Sequence, residues 1–225
     1  MYPSRYIGHI LNLLSKDVDY VFVPRFTSIR KGEFFCPKFM GLPDMIKHSL
    51  PQVEDKLIEP HINSVTDNIG TYDNFKFLED LLDVSPQELK SALKKSEHIW
   101  EIFRGYSKQG YDILSAMELA LGSKKEFTKM NSGKNPVNIG LIGYVYDVYD
   151  NIVSMDVLNK IKGMGANITT FEMLDEDVIR RQITPMKKRL FWTFSNKLLG
   201  AAYHFYESDE YDCLWQNRNR ANGKI

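Results

Sequence analysis

The reactive side chains Arg25 and Cys36 follow a pattern that could place them at the edge of a sheet. Residues 19–24 form a largely apolar run closed by proline, and Arg25 comes directly after it. Such a run predicts a buried parallel strand, and open α/β sheets bind ligands at the carboxyl ends of such strands. Cys36 begins a Cys-Pro pair a short segment later. The sequence therefore predicts that both residues lie near a functional edge.

Each of these side chains also has a purely structural alternative. Cys36 is either a thiolate that faces a metal or a small apolar residue packed beside the neighbouring phenylalanines. The planar guanidinium of Arg25 either binds a phosphate or carboxylate of a ligand, or forms a surface ion pair with Glu33 or Asp44. His9, on a predicted helix, either points towards the same sheet edge as a ligand or satisfies a local hydrogen bond. The residues alone leave these alternatives open.

A second candidate edge follows the apolar run at residues 137–144. This run predicts another buried strand, and Gly143 and Asp150 would then lie at its carboxyl edge. Asp147 and Asp150 could meet a ligand there. The alternative is that the tyrosines of this segment pack while its aspartates cap the next helix or turn.

Composition excludes several classes of function. Lysine and arginine total 29 and are balanced by 29 aspartates and glutamates, so no overall field favours nucleic acid or an anionic membrane. No apolar run approaches the ~20 residues that a membrane span needs. The chain has 2 cysteines, too few for a disulfide scaffold, so we expect reduced thiols and a cytoplasmic location. The absence of Gly-x-Ser-x-Gly, His-Glu-x-x-His and Cys-x-x-Cys patterns disfavours stand-alone hydrolysis.

Apolar periodicity and breaker residues predict an alternation of helices and strands. The predicted helices are residues 3–14, a helix that starts near 41, 74–82, 85–121, 155–164, 175–182 and 185–206. The predicted strands are residues 19–24, 57–60, 137–144, 166–171 and 211–215, with a charged turn after the first. This alternation predicts an α/β fold with parallel sheets.

The polar, breaker-rich stretch from residue 122 to 136 has the composition of a connection between lobes. We therefore predict two α/β lobes. The first comprises residues 1–130 and carries a helical insertion at about 74–121. The second comprises residues 131–215, and residues 216–225 form a frayed tail.

Short motifs along most of the chain resemble the family of proteins related to 2-hydroxyacyl-CoA dehydratase and its activator. They are similar in particular to the uncharacterised domain that accompanies the activase in larger acyl-CoA dehydratase activase-related proteins. The motifs are Tyr2-Pro3, Gly8-His9, Val18-Asp19-Tyr20, Val23-Pro24-Arg25, Cys36-Pro37, Gly41-Leu42-Pro43-Asp44, Leu141-Ile142-Gly143, Tyr146, Val148-Tyr149-Asp150 and Leu190-Phe191-Trp192.

The resemblance implies a pair of Rossmann-like lobes and a [4Fe-4S] cluster, or a double cubane in some relatives, held by scattered cysteines. It also implies low-potential electrons from an ATP-dependent activase, in anaerobic acyl-CoA metabolism. Cys36 matches the cysteine of the family's Cys-Pro motif, His9 the histidine of its Gly-His pair, and Gly143 the glycine after the second-lobe strand. Met1 stands where a cysteine commonly precedes Tyr-Pro.

The number of thiols limits what this chain can hold. A cubane cluster usually takes a thiolate on each iron, and one matched cysteine is too few. We therefore expect Cys36 to be a cluster ligand only in a complete protein, with Arg25 and Asp150 lining the crevice. The competing expectation is a non-catalytic interaction or scaffold module that keeps the fold without the cluster.

Overall fold

A computed structural model of the chain describes residues 3–66, 68–132, 137–187 and 190–216. It has a mixed α/β fold with parallel strand pairing, which confirms the predicted Rossmann-like class. The predicted tail beyond Gln216 lies outside the described residues, as do Met1, Tyr2 and part of the polar stretch before residue 137.

The chain forms two compact units. The first comprises Met1–Lys94 with Phe191–Thr193, and the second comprises Lys95–Leu190 with Phe194–Ile225. The two units therefore divide inside a long helix. The domain boundary predicted near residue 130 stays a prediction.

The first unit contains short strands and the helices that cover them. Its strands are β1 (Val21–Phe22), β2 (Arg25–Arg30), β3 (Glu33–Phe34), β4 (Leu57–Ile58) and β5 (His61–Asn63). Its helices are α1 (Pro3–Leu14), α2 (Pro37–Met40), α3 (Leu42–Ser49), α4 (Tyr72–Phe75), α5 (Leu78–Leu82) and the start of α6 (Pro86–Lys108). The helices predicted from residues 3 and 41 are thus present, and β4 lies within the strand predicted at 57–60.

Strand pairing in the first unit is mostly parallel. β1 pairs with β4, with Val21 opposite Leu57, and β2 pairs with β5. The apolar stripe of α1 contributes to the core beneath β1. Buried residues of that core are Ile10, Val21, Val23, Ile46, Leu50 and Val53.

The prediction of a charged turn after residue 24 is wrong. Residues 25–34 form the antiparallel β2–β3 hairpin, in which Ser28 lies opposite Phe34 and Gly32 takes a φ of +79° in the turn. Arg-Phe-Thr-Ser-Ile-Arg carries aromatic and β-branched residues that suit a strand, and its partner strand is supplied by the tertiary fold. Its flanking charges hide this pattern in the sequence.

The second unit is built on one parallel sheet. Its strands are β6 (Asn138–Ile142), β7 (Asn167–Thr170) and β8 (Cys213–Gln216), in the order β7-β6-β8. Its helices are the remainder of α6, then α7 (Ile113–Ala120), α8 (Val145–Tyr149), α9 (Val157–Gly163), α10 (Glu176–Ile183) and α11 (Thr193–Glu207). All of these strands were predicted, as were α9 and α10.

Helices pack on both faces of the central strand β6. Ile139 and Leu141 pack in one buried cluster with Leu158 and Ile161 of α9. On the opposite face, a Cβ at Gly140 would lie 2.5 Å from the ring of Phe205 in α11. Helix α11 therefore approaches the sheet more closely than any residue with a side chain at position 140 allows.

The last helix begins later than predicted. The sequence predicts a helix from residue 185, but α11 starts at Thr193. Phe191 and Trp192 instead run beside β3 in the first unit: the Phe34 N–H donates to the Phe191 carbonyl at 3.0 Å, and the two phenyl rings stack at 4.6 Å. This tertiary pairing overrides the local helical pattern.

None of the helices in the described ranges combines the length and the apolar character that a membrane span requires.

Two helical glycines provide a matched test of the packing between α10 and α11. A Cβ at Gly200 would lie 2.5 Å from the backbone carbonyl oxygen of Ile179, whereas a Cβ at Gly105 in α6 meets nothing within 4 Å. We expect Gly200→Ala to lower the free energy of unfolding by about 1–3 kcal/mol because the helices must separate. Gly105→Ala should raise it by about 0.5–1 kcal/mol. Urea denaturation measures both values, and a neutral Gly200→Ala would contradict the close approach.

Candidate functional site

Cys36 is a half-buried free thiol at the start of a short helix in the first unit. It holds the N-cap position of α2, followed by Pro37, and its carbonyl accepts hydrogen bonds from the N–H groups of Phe39 and Met40 at 2.9 and 3.2 Å. The ring of Phe35 lies 6.0 Å from that of Phe39. The thiol is thus partly accessible on a well-defined backbone with aromatic neighbours, and both predicted roles stay predictions.

Arg25 is engaged by the protein itself. Its guanidinium donates two parallel hydrogen bonds to the carboxylate of Asp44, at 2.6 and 2.7 Å, and a third to the carbonyl of Met40 at 2.8 Å. The hydrogen bond from Arg25 lowers the pKa of Asp44, and the same bond raises the pKa of Arg25. The structure therefore places Arg25 in the predicted ion pair with Asp44, so a ligand carboxylate would have to displace that side chain.

The charges around Arg25 balance one another. Glu59 lies 3.5 Å from the Arg25 guanidinium and accepts a short hydrogen bond from Lys47. That hydrogen bond raises the pKa of Lys47. Because cations and carboxylates alternate here, the cluster anchors α2 and α3 to the strands and offers no excess positive charge to an anion.

The structure brings only some of the predicted site residues together. Arg25 binds the carbonyl of Met40, the last residue of α2, and Cys36 holds the N-cap position at the other end of that helix. His9 lies exposed on α1. Gly143 belongs to the second unit, where it is buried directly after β6.

Asp150 caps a turn. One oxygen of its carboxylate accepts the N–H groups of Ile152 and Val153, each at 3.0 Å. The neighbouring tyrosines pack as well, with the rings of Tyr144 and Tyr146 stacked at 5.5 Å. This is the arrangement of the structural alternative for the segment after Gly143.

The sequence reasoning missed a buried carboxyl at the same edge of the second sheet. Glu172 follows the carboxyl end of β7, and both of its carboxyl oxygens are buried. Beside it, the hydroxyls of Tyr149 and Thr170 lie 3.2 Å apart. Arg104 donates to the main-chain carbonyls of Glu172 and Leu174. A glutamate directly after a predicted strand was the available signal.

Burial controls the chemistry of this carboxyl. Desolvation raises the pKa of Glu172, while the hydroxyls of Tyr149 and Thr170 and the charge of Arg104 act in the opposite direction. Burial, together with the charge of Glu172, raises the pKa of Tyr149 well above its ordinary value. A carboxyl in such an environment holds its proton to higher pH than an exposed one, because ionisation would leave a poorly compensated buried charge.

The described residues do not form a complete metal site. No cluster of three or more histidine, cysteine, aspartate or glutamate side chains in these ranges is placed to hold a metal ion. The chain's 2 cysteines are Cys36 in the first unit and the exposed Cys213 in the second. Since a [4Fe-4S] cluster usually takes a thiolate on each iron, this chain's donors do not fit such a cluster by themselves.

A comparison with protein-family models matches residues 2–174 to the family described as the CoA enzyme activase uncharacterised domain. The matched region covers more than half of the chain, from α1 to the residues just past β7. It includes Cys36, Arg25, Gly143 and Glu172. Comparison with curated proteins and with solved structures finds no match.

The environment of Glu172 predicts how stability depends on pH. In the unfolded chain its carboxyl ionises in the usual range, whereas the folded protein keeps the proton to higher pH, so stability falls as pH rises between the two pKa values. At pH values below the pKa of Glu172 in the unfolded chain, we expect Glu172→Gln to have the same free energy of unfolding as the wild type. Above the pKa of Glu172 in the folded protein, the variant should be more stable than the wild type by about 1–3 kcal/mol, because a desolvated charge is removed.

Urea denaturation at a series of pH values measures this difference. Glu97→Gln, which removes an exposed carboxylate from α6, controls for the change in net charge. If the free energies of unfolding of Glu172→Gln and the wild type differ by the same amount at every pH, the raised pKa of Glu172 is contradicted.

Proposed function

The chain belongs to the family of the CoA enzyme activase uncharacterised domain, and from this membership we propose that it works as a component of an activase–dehydratase system acting on CoA thioesters. The observation that carries the proposal is the extent of the family match. It takes in the whole β1–β5 region of the first unit and the β6–β7 core of the second. The 2-hydroxyacyl-CoA dehydratases of anaerobic metabolism are the systems that the sequence motifs resemble.

The role that we propose for Cys36 is one ligand of a [4Fe-4S] cluster whose other thiolates come from outside this chain. Its partial exposure, its free state and its position on the anchored helix α2 support this role. The ligand number supports the sharing, because the second thiol, Cys213, would still leave a cubane short of ligands. Such a cluster would supply low-potential electron transfer, and an ATP-dependent activase is the partner that we propose.

A non-catalytic interaction module is the second candidate. Two observations favour it. The chain has too few thiols for a cluster, and Arg25 is already paired with Asp44 within the protein. In this alternative the chain keeps the family fold and binds an activase or dehydratase component, while the cluster and its chemistry belong entirely to that partner.

Anaerobic reconstitution with iron and sulfide tests the role of Cys36. We expect the isolated chain to retain less than one cluster per molecule, and Cys36→Ala to lose most of the iron that is retained. Cys213→Ala is the matched control and should retain as much iron as the wild type, because Cys213 has no place in the proposed ligand set. Iron and sulfide analysis with absorption spectroscopy measures these amounts. Equal iron in Cys36→Ala and wild type would remove Cys36 from the proposal.

Binding to an activase tests the proposal independently of any cluster. We expect an ATP-dependent activase of a 2-hydroxyacyl-CoA dehydratase system to bind the immobilised chain saturably in biolayer interferometry, with and without nucleotide. An unrelated ATPase is the control and should not bind. Saturable binding without iron would favour the interaction module, whereas the absence of binding under all nucleotide conditions would argue against both candidates.

A further inference from the structure

The second unit contains a polar cleft beside the edge strand β7 of its sheet. The cleft has a volume of about 530 Å³, which lies within the range of roughly 300–1,000 Å³ that small-molecule sites occupy. Its lining includes Asn138 and Asn167, the first residues of β6 and β7. It continues past Thr169 to Met173 and Leu174, which follow the carboxyl end of β7.

Strand geometry directs a column of polar side chains into this cleft. Asn138 lies opposite Asn167 in the register, and Thr169 lies two residues further along β7, so all three point to the same face of the sheet. The Asn167 amide donates to the Asn138 side-chain oxygen at 2.8 Å, and the Asn138 backbone N–H donates to Asp212 at 2.7 Å. These bonds hold the amides in defined orientations at the edge of a core.

The walls of the cleft add further neutral groups. Tyr211 lies beside Thr169, with which it shares a hydrogen bond, and its ring packs on Phe205 at 4.6 Å. Asn131 packs against Gly110: a Cβ added at Gly110 would lie 2.3 Å from the side-chain oxygen of Asn131. The buried side chains of Met173 and Leu174 supply apolar surface.

The charges of the lining exclude a strongly charged ligand. Lys108 is ion-paired with Asp175, and Glu210 is an exposed carboxylate on the same wall. Because this leaves no surplus of positive charge, the cleft does not favour phosphate groups. Amides and hydroxyls both donate and accept hydrogen bonds, so they complement a neutral ligand that carries secondary amides and hydroxyls alongside methylene groups.

We propose that this cleft binds the pantetheine arm of a CoA thioester. Pantetheine is uncharged, carries amides and a hydroxyl in series, and has methylene segments that suit the surface of Met173 and Leu174. The choice of CoA as the source of these amides rests on the proposed function, whereas the preference for a neutral amide-bearing ligand rests on the lining alone. The charged nucleotide of CoA would remain outside the cleft.

Isothermal titration calorimetry on the full chain tests the ligand class. We expect pantetheine and CoA to bind saturably with dissociation constants within about threefold of each other, since the nucleotide adds few contacts. Adenosine 3′,5′-bisphosphate should not bind. A blocked alanine dipeptide amide should bind at least about tenfold more weakly than pantetheine. Equal binding of the dipeptide, or binding of the nucleotide but not of pantetheine, would overturn the assignment to the pantetheine arm.

Variants of the lining locate the site. Thr169→Val and Tyr211→Phe each remove one hydroxyl and should weaken pantetheine binding by about five- to tenfold, as expected for one lost hydrogen bond. Asn12→Ala, which removes an exposed amide from α1 in the first unit, is the matched control and should bind as the wild type does. Thermal melting verifies that each variant is folded. Unchanged affinity in both folded hydroxyl variants would overturn the site.

The two proposals fail separately. Pantetheine binding is measured on the isolated chain and needs neither iron nor a partner. A chain that binds an activase but not pantetheine would overturn the cleft assignment and leave the proposed function standing. A chain that binds pantetheine through Thr169 and Tyr211 but binds no activase would overturn the proposed function and leave the cleft assignment standing.

Discussion

The second unit depends on a parallel strand, β6, that is covered by helices on both faces. Such a strand has no solvated face, so its interior positions must be apolar or must lack a side chain, as Ile139, Leu141 and Gly140 show. Polar side chains of the sheet then lie at the ends of β6 or on the neighbouring strand β7, as Asn138 and Thr169 do. Glu172 lies just past the carboxyl end of β7, and the polar cleft extends along β7 from Asn167 to Met173 and Leu174.

Electrostatic pairing has the corresponding role in the first unit. The fork of Arg25 joins the end of α2 to Asp44 at the start of α3, so one side chain fixes the geometry of the helix that Cys36 begins. A bidentate pair of this kind has a defined orientation, which a single hydrogen bond lacks. Arg25 therefore ties the end of α2 to the start of α3.

The family membership and the number of thiols together support a component rather than a self-sufficient enzyme. The domain family connects the chain with CoA enzyme activases, while 2 cysteines cannot complete a cubane cluster. A role shared with other polypeptides reconciles these observations. The cleft beside β7 in the second unit is the place that we propose for the uncharged part of a CoA thioester.

Local patterns in the sequence determined the fold class, the parallel strands β6 and β7 and most helices, because apolar periodicity and capping are properties of neighbouring residues. Short motifs along most of the chain indicated the family to which residues 2–174 match. Tertiary structure alone decided what depends on distant partners: the pairing of Phe191 beside β3, the capture of Arg25 by Asp44, and the burial of Glu172. Pairing, ion-pair choice and desolvation are set by which segments meet in space, and no local pattern in the chain encodes that meeting.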